Sequence, residues 1–200
     1  REPTFRHEAD AAYKAQRKGM PEELAMQMLP LKQVLTAMSI PRYELTGYEA
    51  DDLIGTISRK CEAAGWDCVI VTGDKDSLQL ITDHTKVKLV STRMGQTTTK
   101  DMTPETFQET YGFAPIHMID LKALMGDSSD NIPGVPGIGE KTAMALVQEY
   151  GSIDTLYAQM PDVHAKPAAL RKLQEGEESA RHSYWLATIV TDVPLEFAPE

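Results

Sequence analysis

The segment from Gly134 to Thr142 constrains the fold more than any other part of this sequence. It reads Gly-Val-Pro-Gly-Ile-Gly-Glu-Lys-Thr and leads into a helical pattern. Glycine adopts backbone conformations that other residues avoid, and proline fixes its own φ angle, so the turn is sharply defined. A turn that opens a helix exposes backbone N–H groups at a positive helix end, and both favour phosphate. The segment therefore predicts a phosphate-binding hairpin between two helices. The alternative is a tight turn that only joins packed helices.

Within this predicted helix–hairpin–helix, the N–H groups of Gly137 and Gly139 would bind a DNA backbone phosphate without reading the base sequence, and Lys141 would add positive charge. Gly134 and Thr142, at the two ends of the segment, complete the predicted DNA-binding surface. No Gly-Lys-Ser/Thr follows the hairpin and no strand precedes it, which excludes the phosphate loop of the Walker type.

Three groups of acidic residues lie near positions where chemistry is usually sited. They are Glu49, Asp51 and Asp52 at a predicted helix start, Asp74 and Asp76 after a buried strand, and Asp127 and Asp130 just before the hairpin. Carboxylate oxygens are the ligands that Mg²⁺ and Mn²⁺ prefer, and these seven carboxylates are more than one ion needs. Together they predict a two-metal site for phosphodiester hydrolysis.

Each acidic group also has a purely structural interpretation. Acids in the first turn of a helix complement its dipole, Asp74 or Asp76 would cap a helix, and Asp127 and Asp130 would form turns. The combination of all three groups with a phosphate-binding hairpin favours the metal site.

The coarse secondary structure favours an α/β domain followed by helices. Residues 49–64 carry an apolar stripe that Gly65 ends, and residues 68–72 form a short apolar run typical of a buried parallel strand. Residues 86–91 predict a second strand, and beyond Thr99 only helices are predicted. We therefore place an α/β domain at residues 1–101 and a helical part at residues 102–200.

Two further segments are predicted to be helical. Residues 7–17 are polar, weakly helical and basic on one side, and residues 21–38 carry apolar side chains at helical spacing on both sides of Pro30, where we expect a kink. The methionines of the second helix are interpreted as core residues.

Composition limits the function classes. The net charge of −10 argues against a generic nucleic-acid binder, but acids that bind metal ions would have their charge offset by the ions. The two cysteines are too few for a disulfide framework, which fits a protein of a reducing cytoplasm. No apolar run approaches the ~20 residues of a membrane helix. We expect a monomer.

The order and spacing of these motifs resemble one family, the 5′→3′ exonuclease domains of bacterial DNA polymerases I in the structure-specific 5′-nuclease (flap endonuclease) superfamily. The resemblance rests on the runs Tyr48–Asp52, Thr72–Asp76 and Leu124–Ala143 and covers essentially the whole chain. It implies a PIN-like α/β domain, a three-layer parallel-sheet arrangement, followed by an all-helical part with the helix–hairpin–helix.

The resemblance also implies an activity and a set of roles. Family members remove 5′ flaps and RNA primers from flap or nicked duplex DNA by Mg²⁺-dependent hydrolysis, and a polymerase domain would belong to the same parent chain. Glu49, Asp51 and Asp52 would serve the first metal, with Asp51 or Asp52 shared, and the remaining four acids the second. A K⁺ ion would bind at the hairpin.

The segment around residues 5–17 resembles the basic arch over the active site of this family. There Arg6, Lys14 and Arg17 would contact the scissile phosphate, and Tyr13 would stack on a base. The alternative for this segment is a solvated basic helix.

The sequence departs from the family at its start. Family members begin with a strand that carries an Asp-Gly ligand and a second strand that ends in Phe-Asp, and neither occurs here. We therefore expect a fragment whose first metal binds poorly, whose sheet is weakened and whose activity is impaired. Two other functions remain open: a non-catalytic duplex-binding module, and a phosphatase-like enzyme that acts on small phosphate esters and gives the hairpin no role.

Overall fold

The computed structural model describes residues 2–160 and 162–199 and has mixed α/β architecture. The helices are α1 (Phe5–Ala9), α2 (Glu22–Ala37), α3 (Ala50–Ala63), α4 (Pro104–Tyr111), α5 (Met118–Met125), α6 (Glu140–Tyr150), α7 (Ile153–Ala158), α8 (Pro167–Glu175) and α9 (Glu177–Ala187). The strands are β1 (Cys68–Thr72), β2 (Thr85–Arg93) and β3 (Gln96–Met102), and 3₁₀ turns span Lys75–Leu80 and Pro115–His117.

The sheet of the described residues has the order β1-β2-β3 and is mixed. β1 and β2 are parallel, with Ile70 beside Val87, whereas β2 and β3 are antiparallel and joined at Met94-Gly95. The α/β class with a following helical part is confirmed, but the expectation of a parallel sheet is wrong for β3. This strand was not predicted, and its last three residues, 100–102, lie where only helices were expected. All its residues before Met102 are exposed, so its sequence lacks apolar alternation.

The sheet and the helical part share one hydrophobic core. Val87 of β2, Phe107 of α4, Leu124 of α5, Leu156 of α7 and Leu173 of α8 are almost completely buried in the same cluster. The helices that follow the sheet are therefore packed against it through side chains that water does not reach. This common core holds the loops after β1 and α5 in fixed relative positions.

Helix α2 does not contribute to this core. It forms as predicted and contains Pro30, but none of its residues is buried, and Met26 is 65% exposed. The interpretation of its methionines as core residues is therefore wrong for this structure. An apolar helical period shows which side chains share a face but not whether another element covers that face.

The described part of the chain contains no helix that is both long and apolar enough to cross a membrane.

Candidate active site

The acids after β1 are positioned by a short cap. The Thr72 hydroxyl accepts a hydrogen bond from Asp74 N at 3.0 Å, and Asp74 Oδ1 accepts one from Asp76 N at 3.0 Å. Asp74 therefore caps the 3₁₀ turn, as the structural interpretation of this motif expected. The same turn leaves Asp74 exposed to solvent and places Asp76 further inside, where it is half-buried.

A second loop places Asp127 opposite this turn. The backbones of Asp127 and Ile132 form a two-way bridge with both N–H···O distances at 2.9 Å. Asp127 Oδ1 accepts hydrogen bonds from Ser129 N and Ser129 Oγ, at 2.8 and 2.6 Å. Burial works to raise the pKa of Asp127, but hydrogen bonds from Lys122 and Ser129 outweigh it and hold that pKa at about 2. Asp127 is therefore a carboxylate at every physiological pH.

Lys122 joins the two acidic loops, a contact that the sequence motifs did not predict. Its Nζ donates to Asp127 Oδ2 at 2.7 Å and forms a short ion pair with Asp76 Oδ1. Burial raises the pKa of Asp76 although Lys122 opposes this, and the two acids raise the pKa of Lys122 against the effect of its own burial. The available signal was a single lysine in α5, Met-Ile-Asp-Leu-Lys-Ala-Leu-Met, whose residues other than Lys122 and Asp120 are apolar.

Lys14 makes a similar connection on the other side of the site. Its Nζ donates to Glu49 Oε1 at 2.7 Å and lies 3.4 Å from Asp130 Oδ2, while Arg17 forms a short ion pair with Asp130. The structure thus brings two of the predicted phosphate-binding residues, Lys14 and Arg17, to predicted metal ligands. Helix α1 ends at Ala9, so this segment is a series of turns rather than a helix to residue 17; Lys14 itself has φ +54°.

Tyr13 and Arg6 are placed differently from the prediction. Tyr13 is 3% exposed and donates to Glu49 Oε2 at 2.9 Å, so its ring is not free to stack on a base. Arg6 is 2% exposed and donates to Asp52 Oδ2 and Oδ1 at 2.9 and 2.8 Å. Their predicted contacts with DNA do not fit these buried positions.

Asp52 is correspondingly unavailable as a metal ligand. Besides the two bonds from Arg6, its carboxylate accepts from Glu49 N at 3.0 Å and from Val190 N at 2.9 Å. Four donors saturate both oxygen atoms, and the side chain is completely buried. Its role in this structure is to cap α3 and to anchor the segment after α9.

Asp51 is the acid at this helix end that remains oriented toward the other groups. Burial, followed by the negative charges of Asp74 and Asp76, raises the pKa of Asp51 to about 6. In the described part of the chain, no hydrogen bond or ion pair joins its side chain to another residue. Asp51 lines a narrow pocket together with Glu49, Asp76 and Asp130.

The carboxylates have the chemistry of a divalent cation site, but their oxygen atoms do not converge on one point. Among residues 2–160 and 162–199, no three His, Cys, Asp or Glu side chains are arranged to hold an ion. Burial and then the negative charges of Asp74 and Asp76 raise the pKa of Asp51, and a divalent cation would offset those charges. Asp51, Asp74, Asp76 and Asp127 therefore fit such an ion in ligand type, with Lys122 currently between two of them.

The hairpin follows the Asp127 loop directly and touches it. A Cβ on Gly134 would lie 2.7 Å from Gly126 Cα, and Val135 N donates to Leu124 O at 2.8 Å. Gly134 is buried, and its N and O atoms bond to Ser183 Oγ and Ser179 Oγ at 2.9 and 2.6 Å. The prediction that Gly134 binds DNA therefore does not fit the structure, whereas its role in the turn does.

The outer half of the hairpin is exposed. Gly137, with φ +82°, and Gly139, which precedes α6, face solvent together with Lys141, and Thr142 is half-buried. Lys172 of α8 also reaches this turn and donates to Gly137 O at 3.1 Å, a contact that the sequence did not indicate. Exposed N–H groups, a helix start and two lysines are the elements of a phosphate-binding surface.

A cleft of about 660 Å³ connects the acidic groups with the hairpin helix. Asp74, Asp76, Lys122 and Asp127 line it together with Glu140, the first residue of α6. The acids that suit a metal ion thus share an opening with the first residue of α6, whereas Gly137, Gly139 and Lys141 are not part of its lining.

Comparisons with known proteins identify relatives over the whole chain. The family profile described as "5′-3′ exonuclease, N-terminal resolvase-like domain" matches residues 1–112, and that described as "5′-3′ exonuclease, C-terminal SAM fold" matches residues 113–200. DNA polymerase I of Bacillus subtilis is 47% identical over 96% of this chain, and that of Bacillus caldotenax is 43% identical over 98%. The chain spans 22% of the length of each.

Two solved structures resemble the fold closely. Bacteriophage T5 5′-exonuclease with bound zinc has a TM-score of 0.76 and 27% identity and matches 95% of this chain and 72% of its own. Bacteriophage T5 flap endonuclease in complex with DNA and metal ions has a TM-score of 0.75 and 26% identity, with 95% and 71% covered.

Proposed function

This chain belongs to the 5′-3′ exonuclease family, and from that premise we propose that it hydrolyses phosphodiester bonds near 5′ ends of DNA, as the nuclease part of a longer protein. The observation that carries the proposal is the cleft that the metal-type acids share with the start of α6. A duplex-binding module would need the hairpin alone, and membership of a nuclease family favours the enzyme. A phosphatase for small esters would give the hairpin no role.

The proposed substrate is a flapped or nicked duplex with a 5′ end, including one that carries an RNA primer. The exposed N–H groups of Gly137 and Gly139, together with Lys141 and Lys172, would hold a phosphate of the duplex. Because these contacts involve the backbone of the nucleic acid, they would select its position and not its base sequence.

The proposed cofactors are two divalent cations, Mg²⁺ or Mn²⁺, and a K⁺ ion at the hairpin. Asp51, Asp74, Asp76 and Asp127 would hold the divalent cations, with Glu49 and Asp130 beside them. Bound there, the cations supply the Lewis-acid chemistry that phosphodiester hydrolysis requires. Lys14 and Arg17, which pair with Glu49 and Asp130 in this structure, would turn toward the scissile phosphate when it enters.

The test is cleavage of a 5′-labelled flap duplex with Mg²⁺ and with a chelator. The chain is assayed beside a longer version that carries two N-terminal strands of the kind found in the family. Asp74→Ala and Asp127→Ala should each abolish turnover and retain duplex binding. Asp101→Ala, which removes an exposed carboxylate of β3 that pairs with Lys88, is the matched control.

Two results would contradict the proposal. Retained cleavage in both Asp74→Ala and Asp127→Ala would show that these acids do not hold the catalytic metal. Duplex binding without cleavage by either version of the chain would leave the binding module as the function.

A further inference from the structure

Lys122 is the buried cation at the centre of the acidic cleft. Its side chain is 8% exposed, and the two acids that it contacts come from separate loops, Asp76 after β1 and Asp127 after α5. The lysine itself lies on α5, between the buried residues Leu121 and Ala123. Neither loop contacts its ammonium group through backbone atoms, so the connection depends on charge and hydrogen bonding alone.

A lysine in this position is not explained by packing. Burying an ammonium group costs free energy unless carboxylates compensate for it, and here both compensating groups are at hydrogen-bonding distance or closer. The same two acids would repel each other if the lysine were absent, since both are partly buried on one side of a single cleft. Lys122 therefore neutralises the negative charge of these two carboxylates, as a metal ion does in a metal site.

A divalent cation and the Lys122 ammonium compete for the same oxygen atoms. Nζ contacts Asp76 Oδ1 and Asp127 Oδ2, and the latter distance is 2.7 Å. Mg²⁺ binds carboxylate oxygens at about 2.0–2.1 Å, so an ion bound by both oxygens would lie close to the position of Nζ. Two positive groups at that separation repel strongly where water is largely excluded.

The cleft has room for the ammonium group of Lys122 when it leaves the two acids. Lys122 and both acids line the same opening of about 660 Å³, and the lysine side chain has a flexible four-carbon stem. Rotation of that stem moves Nζ into the cleft without moving α5, which is fixed in the core.

We propose that Lys122 is a tethered counter-cation that neutralises Asp76 and Asp127 while no divalent cation is bound and that must leave them when one binds. The proposal rests on the proposed metal-dependent function. It makes Lys122 a positioning residue that keeps the two loops together in the ion-free protein and lowers the affinity of these acids for the metal.

The first test measures metal affinity by isothermal titration with Ca²⁺. Lys122→Met keeps the length of the side chain and removes its charge, so it should bind Ca²⁺ at least about tenfold more tightly than the unaltered protein. Lys122→Arg, which retains the charge, should stay near the original affinity. Lys88→Met, which removes a half-exposed lysine paired with Asp101 at 2.8 Å, is the control and should change nothing.

The second test needs no variant, and it applies even if Lys122→Met does not fold. The unaltered protein is acetylated briefly with sulfo-NHS-acetate, with and without Ca²⁺, and the modified lysines are mapped by mass spectrometry. Acetylation of Lys122 should be several-fold faster with Ca²⁺ because the ammonium is released into the cleft. Acetylation of Lys88 should be unaffected.

The outcomes separate this inference from the proposed function. If Ca²⁺ binds but neither the affinity of Lys122→Met nor the acetylation of Lys122 rises, the counter-cation role is wrong and the metal site stands. If Ca²⁺ does not bind to any of these proteins, the metal-dependent function is overturned together with the inference.

Discussion

Arg6 donates two hydrogen bonds to the carboxylate of Asp52, at 2.9 and 2.8 Å, and both side chains are almost completely buried. Burial of an ion pair adds little net stability, but removal of one partner leaves an isolated charge in the interior. This pair joins the segment before α2 to the start of α3, and Arg6 extends it to the carbonyl oxygen of Thr188. It is therefore a structural connection between three distant parts of the chain.

Loss of Arg6 should destabilise the fold. We expect Arg6→Met to lower the free energy of unfolding by about 3–5 kcal/mol, since Asp52 would be left buried without its partner. Urea unfolding measures the change. Arg171→Met, which removes an exposed arginine 3.9 Å from Glu175, should have almost no effect. A loss below about 1 kcal/mol for Arg6→Met would contradict the structural role.

Asp51 should make the stability depend on pH. Its pKa is raised to about 6 in the fold, so the folded protein keeps a proton that the unfolded chain releases. Ionisation of Asp51 in the fold therefore lowers the free energy of unfolding. This loss is absent below pH ~4, grows as the pH rises and is complete above pH ~6. Without divalent cations, Asp51→Asn should therefore be stabilising at pH 7.5, by up to about 3 kcal/mol, and close to neutral at pH 4.

The measurement for Asp51 is urea unfolding at both pH values with a chelator present. Solvent screening and the favourable helix dipole at the start of α3 both reduce the gain, so its dependence on pH is more informative than its size. Asp83→Asn, which removes an exposed carboxylate, is the control for net charge. An Asp51→Asn effect that is equal at both pH values would show that the acid is not perturbed.

Lys141 should contribute to binding of the nucleic-acid backbone. Lys141→Ala removes an exposed charge at the start of α6 and should weaken duplex binding equally for all base sequences. The slope of log K against log salt concentration should fall by about 0.9. Lys88→Ala changes the net charge by the same amount on the sheet and should leave the slope unchanged. Equal slopes for both variants would show that Lys141 does not contact the nucleic-acid backbone.

Gly126 should tolerate no side chain. It has φ +74°, and an added Cβ would lie 2.7 Å from Ile132 O and 2.8 Å from Pro133 O. Gly126→Ala should therefore lower the free energy of unfolding by more than the ~1–3 kcal/mol of backbone strain alone. Gly95→Ala is the matched control, because Gly95 has φ +76° but nothing within 4 Å of its Cβ position. Similar losses in the two variants would mean that the close approach at Gly126 relaxes easily.

Local patterns predicted the elements that have strong boundaries. Helix α3 follows from its apolar stripe and from Gly65, which has φ +78°, and β1 follows from its apolar run. The same patterns failed for β3, since nearly all of that strand is exposed and, within residues 2–160 and 162–199, it pairs only with β2. The exposure of α2 could not be predicted either, because its apolar period does not show whether another element packs against that face.

The candidate site was predictable in position but not in pairing. The motifs identified the acids near Asp74 and Asp127, since both follow the ends of elements that the sequence marks clearly. Which basic residue reaches which acid depends on contacts between distant segments, such as Lys14 with Glu49 and Lys122 with Asp76. The buried pair of Arg6 and Asp52 is the clearest example, because the local position of Asp52 three residues after Glu49 does not indicate that Arg6, 46 residues away, is its partner.

The close backbone approach of Gly126 and Gly134 fixes the distance between the acids and the hairpin. Asp127 follows the first glycine and the hairpin follows the second, so no flexible linker separates the acids from the turn. If the hairpin holds a phosphate of the duplex and the acids direct hydrolysis, the number of nucleotides between the held phosphate and the cut is set by the polypeptide backbone. A change at either glycine that the fold survives would then alter the length of the product more than the strength of binding.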